Sequence, residues 1–187
     1  KTAEVVNHYL RKATVVLKPF HPANTILLRG FSRIPDIPTM ADRFKLRPAA
    51  IATYPMYRGL GKLVGMEILE TGETYRDEVE TLKHYFHRHD FFYLHFKKTD
   101  SAGEDGNFKM KVKAIEEIDR IVPSILKLNF DVLAVTGDHS TPALLKSHSW
   151  HPNPVALYSK YIRPDGIRRF TERQCQRGEL GRFSAVN

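Results

Sequence analysis

Residues 132–142 read Val132-Leu133-Ala134-Val135-Thr136-Gly137-Asp138-His139-Ser140-Thr141-Pro142. An apolar run rich in β-branched residues stops at a polar turn containing Gly and Pro, the pattern of a buried strand feeding a loop. Downstream, Ser147-His148-Ser149-Trp150-His151-Pro152 leads into a second apolar run, Val155-Ala156-Leu157-Tyr158. Two strands are predicted. Asp138 and His139 follow the first, and His148 and His151 precede the second. In an open α/β sheet, ligands bind in the crevice beyond the carboxyl ends of the strands. A carboxylate and imidazoles converging there suit a hard divalent ion or zinc.

The same pattern occurs upstream. Phe91-Phe92-Tyr93-Leu94-His95-Phe96 is apolar and aromatic, and it runs into Lys97-Lys98-Thr99-Asp100-Ser101-Ala102-Gly103-Glu104-Asp105-Gly106-Asn107. This predicts a strand ending in an acidic, Gly-containing loop, with a helix to follow. Two strand-end loops that both carry metal-ligand residue types are stronger evidence than either alone.

The order D-x-x-G-x-x-G-N over 100–107, a helix, then T-G-D-H-S-T-P and H-S-W-H-P resembles the C-terminal part of the metal-binding core of the alkaline phosphatase superfamily. Within it the sequence is most similar to the archaeal-type cofactor-independent phosphoglycerate mutases. The likeness is good over roughly residues 75 to 160 and weaker toward the N-terminus. It implies an α/β fold: an alkaline-phosphatase-like sheet flanked by helices, with part of an inserted smaller α/β domain. Residues 1–70 are expected to belong to that inserted substrate-binding domain, and 71–187 to the C-terminal part of the metal-binding domain.

The resemblance also implies a chemistry. Such enzymes interconvert 3-phosphoglycerate and 2-phosphoglycerate through a phosphoserine, using two divalent ions. Manganese is the first expectation, with magnesium, cobalt or zinc as alternatives. Carried over residue by residue, one ion takes Asp100, Glu104 and His148. The other takes Asp138 and His139, with an aspartate and the nucleophilic serine from an N-terminal segment. His148 is preferred to His151 because the ligand histidine lies at that interval upstream of a Pro-x-Pro-Val run, here Pro152 to Val155. His151 is the alternative.

Two departures stand out. Glu104 occupies a position that is usually histidine in the superfamily; a carboxylate there favours a harder ion, or marks a weakened site, with Asp105 as the next candidate. The nucleophile segment is not found in this chain: Ser101, Ser140 and Ser149 lie in the ligand loops but not in the nucleophile's context. The chain is therefore expected to be part of a longer mutase and inactive alone, with the remaining N-terminal segment as its partner.

Basic residues beside turns complete the expectation. Arg29, Arg58 and Lys62 are candidates for gripping the carboxylate and phosphate of a phosphoglycerate, for which the arginine fork is well shaped. Solvated loop charge is the simpler account of any one of them. The competing functions are another metal-dependent phosphatase or sulfatase-like hydrolase of the superfamily, and a catalytically silent binding module.

Composition bounds these readings. The 187 residues, 42% hydrophobic and 27% charged, are ordinary for a globular chain. The net charge of +8 could suit nucleic acid. However, no zinc-finger spacing, ribonucleoprotein motif or helix-turn-helix is present, so a small anionic substrate is the expected partner. No apolar run approaches membrane-spanning length, and the single cysteine, Cys175, fits a reducing cytoplasm. The oligomeric state stays open.

Local patterns fill in the rest. Helices are predicted over 2–17, 40–45 with Thr39 as cap, 78–88, and 109–128 with a kink or break near Pro123. A further helix is expected to open among the glycines of 57–62. Short strands are predicted over 24–28, 49–53 and 67–69, and 71–77 reads as a hinge. His84, His87 and His89 precede a strand and are not expected to bind metal; His95, inside it, is expected to pack.

Overall fold

A computed structural model describes residues 1–185, which divide into two compact units, Lys1–Ile37 and the chain from Pro38 onward. In the first, α1 (Thr2–Leu17) is followed by irregular chain. The expected strand over 24–28 does not form: Leu27 is 94% exposed, and a lone extended segment has no neighbour to satisfy its backbone.

The second unit begins with α2 (Met40–Phe44), β1 (Pro48–Ala52), α3 (Pro55–Leu63) and β2 (Glu67–Ile68). Next come α4 (Tyr75–Tyr85), a 3-10 turn over Phe86–Arg88, β3 (Phe91–His95), α5 (Lys98–Glu104) and α6 (Phe108–Leu126). It closes with β4 (Val132–Thr136), β5 (Val155–Ser159) and the short α7 (Glu172–Cys175). Strands β2, β1 and β3 form a parallel sheet in that order, with β1 at its centre. Covered on both faces, β1 is buried at every residue, which is why it reads as an unbroken small-apolar run rather than an alternating one.

The border expected near residue 70 lies inside this unit. Residues 48–68 supply two strands that hydrogen-bond in one sheet with β3, while the compact-unit border falls after Ile37.

Helices flank the sheet as predicted. Val79 and Leu82 of α4 and Ile125 of α6 join Ala49, Ile51 and Leu69 in one core cluster, against which Leu133 of β4 also packs. Segment 71–77 serves α4 as a capping box: the Asp77 N–H donates to Thr74 Oγ1 at 3.1 Å, and the Thr74 N–H donates to Asp77 Oδ2 at 2.9 Å. On the other side, α3 approaches so closely that a Cβ on Gly61 would stand 2.9 Å from Ile68 Cδ1 and 3.2 Å from Ala50 Cβ. Helix α6 runs through Pro123 without ending. That proline is exposed, so its ring meets solvent.

Strands β4 and β5 differ from the expected open sheet. They pair antiparallel, with Leu133 opposite Tyr158 and Thr136 opposite Val155, as a separate two-stranded sheet. The register sets the turn after Thr136 beside the segment before Val155, and the Thr136 hydroxyl donates to the Pro154 carbonyl at 3.1 Å. The loop of Asp138 and the loop of His148 are thereby held together.

Candidate metal centre

Asp100 does not lie in a loop. It sits in α5, and Glu104 follows one turn later on the same face. The helix ends in a Schellman motif: the Asn107 N–H donates to the Ala102 carbonyl at 2.9 Å and the Gly106 N–H to the Gly103 carbonyl at 3.0 Å. Gly106 takes the left-handed conformation, φ +69°, that the motif needs. Asn107 then caps α6 by accepting from the Met110 N–H at 3.1 Å. The glycines of the motif thus end one helix and start the next.

Asp100, His139 and His148 each offer a ligand atom, and these atoms lie within 4.8 Å of one another. The imidazoles of His139 and His148 stack with centroids 3.8 Å apart. His148 Nε2 is 4.0 Å from Asp100 Oδ1 and 3.6 Å from Glu104 Oε1. His139 Nε2 is 3.5 Å from Asp138 Oδ2. Of the five expected ligands, three converge tightly and the two remaining carboxylates border them. Imidazoles and carboxylates on a partly buried wall are a donor set that fits manganese, zinc or a harder divalent ion.

His151 lies apart from this group. It is exposed, its ring stacks on Trp150, and its Nδ1 meets the Ser149 hydroxyl at 2.8 Å. The isolated bridge between Ser140 and Ser149 brings the His148 segment against the His139 loop. His84 and His87 are exposed on and after α4; among the described residues they join no metal-ligand group.

Several supporting residues were not anticipated. Lys97 donates to Asp100 Oδ2 and the Thr141 hydroxyl to Asp100 Oδ1. Burial favours the neutral acid at Asp100, but these hydrogen bonds and the nearby charges of Lys97 and His139 outweigh it. The carboxyl is held below its usual range. Tyr57 of α3 reaches the site as well, donating its hydroxyl to Asp138 Oδ2. There too burial opposes the charge, and the hydrogen bond from Tyr57 and the nearby charge of His139 together outweigh it, so that the Asp138 carboxyl titrates low. Burial and the Asp138 bond push the Tyr57 hydroxyl up, so it stays a donor.

His95 packs, as expected: its ring stacks on Tyr57 at 3.6 Å, and its Nδ1 is buried without a hydrogen-bond partner among the described residues. Burial lowers its basicity, so it stands as a neutral wall behind Tyr57. Thr141 was visible within the D-H-S-T-P motif and could have been assigned. Lys97 precedes Asp100 by three residues, a helical spacing that becomes legible only once α5 is recognised. Nothing in the sequence marks Tyr57.

Arg58 and Lys62 lie one turn apart on α3, where Arg58 pairs with Glu70 at 2.5 Å and Lys62 is exposed. Arg29 is an exposed residue of the first unit.

A family model described as the Metalloenzyme superfamily matches residues 17–187, and the chain belongs to that superfamily. Its relatives narrow the class. The chain is 56% identical over 185 residues to a protein of Thermotoga sp. (strain RQ2) named as a probable 2,3-bisphosphoglycerate-independent phosphoglycerate mutase; the match covers 99% of this chain and 46% of that protein. Among solved structures, a protein of Pyrococcus horikoshii superposes with TM-score 0.83 at 30% identity, over 96% of this chain and 53% of that one. The cofactor-independent phosphoglycerate mutase of Thermoplasma acidophilum DSM 1728 superposes with TM-score 0.62 at 25% identity, over 96% and 47%. The chain thus spans about half the length of the curated relatives it matches.

Proposed function

We propose that this chain forms the metal-binding part of a 2,3-bisphosphoglycerate-independent phosphoglycerate mutase, an isomerase acting on 3-phosphoglycerate and 2-phosphoglycerate through a phosphoserine. The observation that carries this reading is the convergence of Asp100, His139 and His148, in a chain 56% identical to a protein named as such an enzyme. Asp100, Glu104 and His148 would hold one divalent ion, and Asp138 and His139 would contribute to a second, with manganese the preferred metal. Bound there, the ions would offset charge on the transferring phosphoryl group.

The chain's own residues prepare that role. Thr141 and Lys97 hold Asp100 ionised, and Tyr57 does the same for Asp138. Helix α3, which delivers Tyr57 to the Asp138 loop, also carries Arg58 and Lys62. With Arg29, these are the cations we assign to the substrate's carboxylate and phosphate. The compartment we assign is the cytoplasm; among the described residues no helix is long and apolar enough to cross a membrane.

Manganese added to the purified protein should raise its melting temperature by linkage. His148→Ala should abolish most of that rise and His87→Ala should leave it; equal losses would sink the ligand assignment. The reaction is to be assayed on a polypeptide of the relatives' full length that includes this chain. Appearance of 2-phosphoglycerate from 3-phosphoglycerate supports the mutase. Release of inorganic phosphate instead would favour a hydrolase of the superfamily, and absence of metal binding would favour a silent binding module.

A further inference from the structure

We propose that Lys97 is a tethered cation that shares Asp100 and Glu104 with the divalent ion, so that the metal must displace it to bind. The inference rests on the metal reading above and deepens it. Lys97 stands at the N-cap of α5, three residues before Asp100. Its ammonium donates to Asp100 Oδ2 and lies 3.9 Å from Glu104 Oε2. The pair is withdrawn from solvent, with the Lys97 side chain 19% exposed and that of Asp100 15% exposed.

The other Asp100 oxygen is engaged too, accepting from Thr141. Both oxygens of the most buried carboxylate in the site therefore already have donors. A cation approaching from the side of the imidazoles meets Asp100 and Glu104 with their negative charge partly offset by Lys97. His148 Nε2 faces the same two carboxylates, at 4.0 Å and 3.6 Å. The lysine and the imidazoles thus address one pair of acids.

Two features suit Lys97 to exchange. Lysine is a point charge on a flexible stem and makes no bidentate clamp, so it releases a carboxylate more readily than arginine would. A second seat is also at hand: the ammonium is already 4.8 Å from the centroid of the Tyr54 ring, whose face can receive a displaced cation. A lysine whose only task was to orient Asp100 would behave oppositely, since its removal would loosen a ligand and weaken the metal.

The test compares wild-type protein, Lys97→Met and Lys97→Arg, each stripped with a chelator and titrated with manganese. Free manganese is followed by its paramagnetic resonance signal, and melting temperature is measured with and without the ion. Lys97→Met should melt lower than wild type when stripped, having lost the partner of Asp100. It should bind manganese roughly tenfold more tightly, the factor expected when only about a tenth of the sites are free of the competitor. Its manganese-induced gain in melting temperature should be correspondingly larger. Lys97→Arg keeps the charge and grips Asp100 through two N–H groups, so it should bind manganese more weakly than wild type. Equal or weaker binding by Lys97→Met, or tighter binding by Lys97→Arg, overturns the inference while leaving the metal reading intact. No manganese binding by wild type or by either variant overturns both.

Discussion

Gly103 lies so close to Thr141 that a Cβ built on it would stand 2.3 Å from the Thr141 carbonyl oxygen. This contact sets the separation between α5, which carries Asp100 and Glu104, and the loop that carries Asp138 and His139. The neighbouring group is backbone, so it cannot swing aside as a side-chain tip could. Gly103→Ala should push helix and loop apart at a cost of roughly 1–3 kcal/mol. Both the melting temperature and manganese affinity should fall. A variant that loses stability but keeps wild-type affinity would show that the site tolerates a wider spacing.

Removing one hydroxyl tests the second support. Tyr57→Phe keeps the ring stacked on His95 but leaves Asp138 Oδ2 without its phenolic donor. Because Asp138 is half exposed, water can partly replace the bond, and the loss should be about 0.5–1.5 kcal/mol by denaturant unfolding. The Asp138 carboxyl should also titrate higher than in wild type by carbon-detected NMR. An unmoved titration would mean that His139 alone holds Asp138 ionised.

Glu104 decides how the site selects its ion. Glu104→Gln should weaken manganese binding by roughly tenfold or more, since a neutral amide is a poorer donor to a hard cation. Glu104→His should shift preference toward zinc. Calorimetric titration with each metal measures both. If affinity and preference are unchanged in both variants, Glu104 is a surface acid, and Asp105 becomes the next candidate.

Glu78 predicts a pH dependence away from the site. It is 2% exposed in the core face of α4, and its Oε2 has no hydrogen-bond partner among the described residues. Burial pushes its carboxyl up from 4.5 to about 8. The native state therefore keeps a proton that the unfolded chain has released, and stability must fall as pH rises from near 4.5 toward 8. The total effect is a few kcal/mol at most. Glu78→Gln, neutral throughout, should remove that slope, so its melting temperature relative to wild type should climb between pH 5 and pH 8. Parallel curves would show that Glu78 is ionised in the folded protein.

The sequence read well where a local pattern and its tertiary context agree. The apolar runs of β1, β3, β4 and β5 and the one-sided stripe of α6 were legible as strands and helix from local composition and period. Strand β4, however, was expected to be buried, and it leaves Val132 57% and Val135 39% exposed because among the described residues it pairs only with β5, in a two-stranded sheet. The sequence also misled where a motif's residues serve a different local structure. The glycines around Asp100 suggested a loop, yet they end a short helix whose turn puts Asp100 and Glu104 on one face. The segment 24–28 looked like a strand, but none of the described residues pairs with it. Propensity cannot provide the partner that strand backbone requires.

By itself the sequence determined the donor chemistry: carboxylates at 100, 104 and 138 and imidazoles at 139 and 148, set beside apolar runs and punctuated by glycine. Those are covalent facts, and short-range spacing is enough to make them informative. The tertiary structure alone decided which donors meet. The antiparallel register of β4 and β5 and the close approach of Gly103 to Thr141 bring His139 and His148 against Asp100 and leave His151 outside. It also recruited Lys97 and Tyr57, whose roles depend on a helical turn and on a contact 81 positions apart in the chain. The physical reason is that a site forms through long-range contacts, and their geometry is fixed by packing, which no local pattern in the sequence encodes.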